Sequence, residues 1–152
     1  MRTKIIAAFP GTGKSYFAMS LSQISKITDL DTNDYIHGYD KNGKVINQAF
    51  PKNYIDSIKG VIGQTDILLI GCQPEVLNLL REEDASTILV YPDRRLKEEY
   101  MIRFHKRGDS QAFSRLLYDN WDQFLDYLES QGGERSILES GQYISDVIDV
   151  HR

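Results

Sequence analysis

Ala8-Phe9-Pro10-Gly11-Thr12-Gly13-Lys14-Ser15 is the stretch that decides the fold. An apolar run, Lys4 to Phe9, leads into it and fits a strand buried on both faces. From Ser15 to about Gln23 the pattern is helical, with Phe17, Leu21 and Ile24 near one face. A strand, a glycine-bearing turn and a helix opening on Gly-Lys-Ser form a phosphate-binding loop. Backbone N–H groups from Gly11 through Thr12, Gly13, Lys14 and Ser15 to Tyr16 can curl around an anion, and the helix start adds the positive end of its dipole. Lys14 can reach β- and γ-phosphates, and Ser15 can ligate Mg²⁺. The usual first glycine of this pattern is Ala8 here. That is tolerated if the backbone stays at negative φ.

Strands and helices alternate outward from this loop. Lys26 to Asp31 reads as a second strand, Asp66 to Gly71 as a third, Thr87 to Tyr91 as a fourth and Ser136 to Leu138 as a fifth. Residues 32–50 are polar, with an Asn42-Gly43 hairpin signal. Helical patterns run from Pro51 toward Gly60 and Gly63, from Pro74 through Leu80, from Asp93 to Lys106, from Gln111 to Ser130 as one long helix, and from Gln142 to Val150. The alternation predicts an α/β domain with a mostly parallel sheet.

The chain has 152 residues, enough for one domain. A net charge of −4 lacks the basic imprint of nonspecific nucleic-acid binding. A single cysteine, Cys72, excludes an intramolecular disulfide and fits a reducing compartment. No apolar run is long enough for a membrane span. These features predict a cytoplasmic protein.

Three features bear on the reaction. Asp29 and Asp31 end the second strand, where alternation puts them on one side. One of them, Asp31 by preference as the one expected nearer the loop, can hold Mg²⁺ through water, act as a base or orient an acceptor; a solvated strand end is the plain alternative. Arg95, Glu99, Arg103 and Arg107 recur every fourth residue. Arg103 or Arg107 could close over transferring phosphate, with Gly108 as hinge; ion pairs such as Glu99 with Arg103 on a solvated face are the alternative. The third strand ends Ile70-Gly71-Cys72-Gln73 without the Mg²⁺-holding acid of most hydrolases with such loops. His37, His105 and His151 show no metal-site spacing, and Trp121 and Cys72 read as core. Tyr35, Tyr39 and Tyr54 could stack on a base or simply pack, and Gln73 could contact an acceptor or open a helix.

The chain resembles the small nucleoside monophosphate kinase-like P-loop proteins, most closely the short nucleotide-kinase-like proteins of phages of Gram-positive bacteria. The resemblance rests on Phe9-Pro-Gly-Thr-Gly-Lys-Ser15, Asp29-Leu-Asp31, Tyr39-Asp-Lys-Asn-Gly43, Phe50-Pro-Lys-Asn-Tyr-Ile55, Leu89-Val-Tyr-Pro92, Leu96-Lys-Glu-Glu-Tyr100 with Arg103 and Arg107-Gly108, Asn120-Trp-Asp122 and Gly141-Gln-Tyr-Ile-Ser-Asp146. It implies a P-loop NTPase fold over residues 1–152, with a five-stranded parallel sheet of order 2-3-1-4-5 flanked by helices. It also implies an acceptor-binding insertion near 32–63 and a short lid near 94–110. Gln142 and Tyr143 fall where such kinases hold the adenine; packing is the alternative for Tyr143.

The expected activity is an ATP- and Mg²⁺-dependent phosphotransferase acting on a (deoxy)nucleoside monophosphate. Lys14, Asp31, Arg103 and Arg107 are the expected catalytic residues, and Ser15, Asp29 and Asp31 the expected metal residues. The expected partners are a nucleoside triphosphate and a small phosphorylated acceptor, in a monomer or homodimer. Two rivals stand beside it: a kinase of another small molecule or polynucleotide end, with Asp31 a true base, and a non-catalytic nucleotide-binding protein.

Overall fold

The structure is a computed structural model that describes residues 3–82 and 86–148. Five strands form one parallel sheet: β1 (Lys4–Ala8), β2 (Ile27–Asp29), β5 (Ile67–Gly71), β6 (Thr87–Pro92) and β7 (Arg135–Leu138). Their spatial order is β2-β5-β1-β6-β7. Numbered within this sheet alone, that is the expected 2-3-1-4-5. The interposed β3 (His37–Asp40) and β4 (Gly43–Ile46) form a separate antiparallel hairpin.

Alternation along the central strand explains the two-layered core. Ile5, Ala7 and Phe9 face one side, with Leu68, Ile70, Leu89 and Tyr91. There they meet α3 (Lys52–Val61), α4 (Pro74–Glu82), α5 (Lys97–Lys106), α6 (Gln111–Asp119) and α7 (Trp121–Ser130). Ile6 and Ala8 face the other side, with Leu69 and Val90, against Phe17 of α1 (Lys14–Leu21) and Ile144 of α8 (Ile144–Val147). A strand covered on both faces needs apolar residues at every position, which is why β1 and β5 read as unbroken apolar runs.

Several expected boundaries move. The long helix over 111–130 is two helices, broken at Asn120, whose side-chain amide donates to the Leu116 carbonyl at 2.8 Å. A side chain bonding that carbonyl competes with the helical ladder. The break lets Trp121 enter the core, its indole N–H donating to the Arg94 carbonyl at 3.0 Å. A short helix, α2 (Asn33–Ile36), stands in the polar stretch that carried only a hairpin signal. Gly60 lies inside α3 rather than at its end, and Gly63, at φ +88°, follows it. Asp93 does not start α5 directly; its carboxylate accepts from Arg95 N–H and opens a 3₁₀ turn, Arg94–Leu96. The expected last helix shortens to α8, and residues 149–152 lie outside the described residues.

Candidate active site at the carboxyl ends of the strands

The loop between β1 and α1 sits where the sheet's central strand ends. β1 runs through Ala8, which pairs with Gly71 and Val90 and is fully buried. The first position of the motif is therefore strand backbone, which explains why alanine serves there. Gly11 and Gly13 both take positive φ, +82° and +90°, a conformation that L side chains rarely adopt. Thr12 is buried, and its hydroxyl donates to the Phe9 carbonyl at 2.6 Å, closing the turn. No side chain caps α1. Its first-turn N–H groups thus lack helical partners and can receive an anion.

Lys14 is partly buried, and its ammonium makes one long bond, 3.5 Å, to the Ala8 carbonyl. Desolvation lowers its pKa, opposed by the carboxylates of Asp29 and Asp31 and assisted by Arg107. A cation so placed gains most from a phosphate partner.

Asp29 ends β2 beside Lys14. Burial raises its carboxyl pKa, while Lys14 and a hydrogen bond from Ser15 pull it back down. Its Oδ1 is buried with no partner. Asp31 is exposed, with a carboxylate oxygen accepting from Asn33 N–H at 2.9 Å. The order expected for the two acids is thus reversed: β2 stops at Asp29, Asp31 turns out of the strand, and Asp29 is the carboxylate that meets Ser15.

The arginine face of α5 divides. Arg103 is held in place, its side chain only 10% exposed. Its guanidinium donates to the carbonyls of Gly11 (2.9 Å) and Gln142 (3.0 Å) and to Glu99 (3.0 Å). It also lies over the rings of Tyr100 and Tyr143, at 4.4 and 4.0 Å. The expected Glu99–Arg103 pair exists, though not on a solvated face. Glu99 accepts in turn from Gly141 N–H at 3.1 Å, so both residues tie α5 to the loop after β7. Arg107 caps the end of α5, exposed, pairing with Asp109. Gln142 and Tyr143 lie against the phosphate loop: Ile144 N–H donates to the Thr12 carbonyl at 2.9 Å, and Tyr143 covers Gly13. A cavity of about 480 Å³ opens between these elements, lined by Gly11, Gly13, Ile102, Arg107 and Tyr143 among others.

Around the end of β5, Tyr54 and Gln73, which the sequence offered singly, join Thr32 and Gly71 in a cluster that the sequence did not reveal. The buried Thr32 hydroxyl bonds Gln73 Oε1 at 3.2 Å, directly over Gly71. A Cβ on Gly71 would lie 2.3 Å from Thr32 and 2.4 Å from Gln73. Tyr54 donates to the Leu30 carbonyl and accepts from Gly71 N–H, joining α3 to both strand ends, and burial pushes its pKa up to about 12. No residue marks this cluster by spacing, because three separate elements supply it. Burial pushes the Cys72 thiol up to about 12, which leaves it inert.

No group of three or more metal-ligating side chains forms among the described residues, and no described helix is long and apolar enough to cross a membrane. No protein-family model matches the chain, and no curated protein matches it in sequence. Among solved structures it is similar to a gluconokinase from Sinorhizobium meliloti 1021, with TM-score 0.57 and 14% identity, over 96% of this chain and 86% of that one. The likeness is one of fold: an α/β domain with a five-stranded parallel sheet flanked by helices.

Proposed function

We propose that this chain is a phosphotransferase that moves the γ-phosphoryl group of ATP to a small-molecule acceptor. One observation carries the reading: the underbonded Lys14 ammonium stands beside a half-buried, half-partnered Asp29 carboxylate at the mouth of an uncapped helix. The loop amides and Lys14 bind and orient the β- and γ-phosphates. Gly71, Cys72 and Gln73 put no acid at the end of β5, beside β1. That argues for transfer over hydrolysis.

Magnesium fits the residues present. Mg²⁺ is usually held by one or two protein oxygens, with phosphates and water completing the shell. Ser15 offers one hydroxyl, and the Asp29 carboxylate accepts a hydrogen bond from it. When bound, the ion supplies charge neutralisation to the phosphate oxygens. Arg107, whose charge reaches Lys14, is the group to close over the transferring phosphoryl; Arg103 is a positioning residue that holds the loop and the base-side wall.

Two acceptor classes follow from the sequence, a nucleoside monophosphate and a hydroxyl compound. Asp29 favours the hydroxyl. A phosphate acceptor is already an anion and needs no base, whereas a hydroxyl must lose a proton. A half-buried carboxylate with raised pKa and an oxygen without a partner is suited to take it. The test is ADP release from ATP and Mg²⁺ with a panel of acceptors, wild type against Lys14→Ala. Acceptor-stimulated release that depends on Lys14 is expected; release that no acceptor stimulates would remove the reading.

A further inference from the structure

We infer that Glu99 is a positioning residue for the donor phosphates: it roots both contacts that aim the phosphate loop's amides, one through Arg103 and one through the loop after β7. The inference rests on the phosphotransferase reading above and deepens its donor side.

The loop's own sequence creates the need for such support. Gly11 and Gly13 both take positive φ, and glycine populates positive and negative φ about equally. Peptide planes beside glycine therefore turn over easily. In a trans peptide the C=O of one residue and the N–H of the next point in opposite directions. Whatever fastens the carbonyl thus aims the amide. Two carbonyls of this loop are fastened from outside it. The Gly11 carbonyl accepts from Arg103 Nη1 at 2.9 Å, and the Thr12 carbonyl accepts from Ile144 N–H at 2.9 Å. These contacts turn the N–H groups of Thr12 and Gly13 the other way. Neither N–H has a hydrogen-bond partner among the described residues, and both lead into the uncapped start of α1. The Lys14 ammonium stands at the Ala8 carbonyl of the same loop. Unpaired amides and an ammonium share one kind of partner, an anion.

Both fastenings trace back to one carboxylate. Glu99 Oε2 accepts from Arg103 Nη2 at 3.0 Å and from Gly141 N–H at 3.1 Å, and Oε1 accepts from the Ser140 hydroxyl. The first contact holds the guanidinium that bonds Gly11. The other two hold the turn that brings Ile144 to Thr12. A guanidinium whose side chain is only 10% exposed needs a counter-charge, and Glu99 is its ion-pair partner. Glu99 lines the cavity at the loop, but both its oxygens are engaged, so it acts on a nucleotide through the loop and not by contact. Three cations, Arg103, Lys106 and Arg107, line the same cavity. They outweigh this one acid, so the cavity still suits a polyphosphate.

Charge and position predict opposite signs. By charge alone, neutralising Glu99 removes a repelling anion and tightens polyphosphate binding. By position, it frees the two peptide planes and weakens binding.

The experiment is calorimetry with two probes, inorganic tripolyphosphate and ATP, each with Mg²⁺. Tripolyphosphate reads the phosphate loop without a base. The proteins are wild type, Lys14→Ala, Glu99→Gln and Glu99→Asp, with thermal melting to confirm that each is folded. Glu99→Gln removes the charge and keeps the length; Glu99→Asp keeps the charge and withdraws it by one carbon. Both Glu99 variants are expected to bind both probes roughly 10–100-fold more weakly, the worth of one or two hydrogen bonds to a charged group. In the ligand-free variants the amide resonances of Thr12 and Gly13 are expected to shift, while those of β1 stay. Either folded variant binding tripolyphosphate as tightly as wild type, or tighter, overturns the inference; if wild-type binding still depends on Lys14, the donor site stands. Wild-type binding that is absent, or unchanged by Lys14→Ala, removes the phosphotransferase reading itself and this inference with it.

Discussion

At Asp29 the needs of folding and of chemistry conflict. Its carboxyl is raised by burial, so between its unfolded and folded pKa values the native state binds more protons than the unfolded chain. Stability must then fall as pH rises through that window, which opens near 3.8 and closes above the raised folded value. Asp29→Asn is predicted to melt above wild type at pH 7, with the gain shrinking below pH 4; thermal unfolding at the two pH values checks this. The same variant is predicted to lose roughly 10²–10⁴-fold in kcat if the carboxylate takes a hydroxyl proton. An equal melting temperature with unchanged turnover would contradict both roles. Gly71 is constrained by space rather than charge. Gly71→Ala puts a methyl group against Thr32 and Gln73. It is predicted to destabilise by about 1–3 kcal/mol, read from urea unfolding.

Among the elements, α5 shows how far a charge pattern can be read. The fourfold spacing pairs Glu99 with Arg103, as the structure does, but Arg95 lies in the 3₁₀ turn before α5, and spacing gave no hint that Arg103 turns inward to the phosphate loop and the loop after β7. That depends on the loop after β7, which arrives 39 residues later in the chain. Tyr100 and Phe104 are fully buried, so moving the whole of α5 would expose two aromatic rings. Any lid motion is therefore proposed for its end, at Arg107 and Gly108 (φ +83°). Arg103→Ala is predicted to cost about 2–3 kcal/mol of stability, since it strips a charged donor from the Gly11 and Gln142 carbonyls and leaves Glu99 without its partner. Arg107→Ala is predicted to leave stability within about 0.5 kcal/mol and to lower kcat. Unfolding and steady-state rates on the two variants separate a positioning role from a catalytic one. The break at Asn120 escaped the sequence for a related reason. Apolar periodicity continues through Phe113, Leu117, Trp121 and Leu125, and only the amide-to-carbonyl bond at Leu116 marks the interruption.

Over the whole molecule, the sheet was the most legible part. Buried parallel strands must be apolar on both faces, so β1, β5 and β6 stand out as continuous runs between turn residues. In the candidate site the donor loop reads as one contiguous motif, whereas Asp29, Tyr54 and Gln73 read only one at a time and Thr32 not at all. The acceptor half draws Asp29, Thr32, Tyr54 and Gln73 from four places in the chain. The hairpin β3–β4 is exposed along β4 and pairs only with itself. Two-stranded ribbons are marginal alone, so amide hydrogen exchange is predicted to be fastest there and slowest in β1 and β5. Phosphoryl transfer is the central claim, and γ-³²P-labelled ATP follows it directly. With Mg²⁺ and a hydroxyl acceptor, the label is predicted to appear on the acceptor with wild-type protein and not with Lys14→Ala. Label found only in inorganic phosphate, or remaining in ATP, would contradict the account.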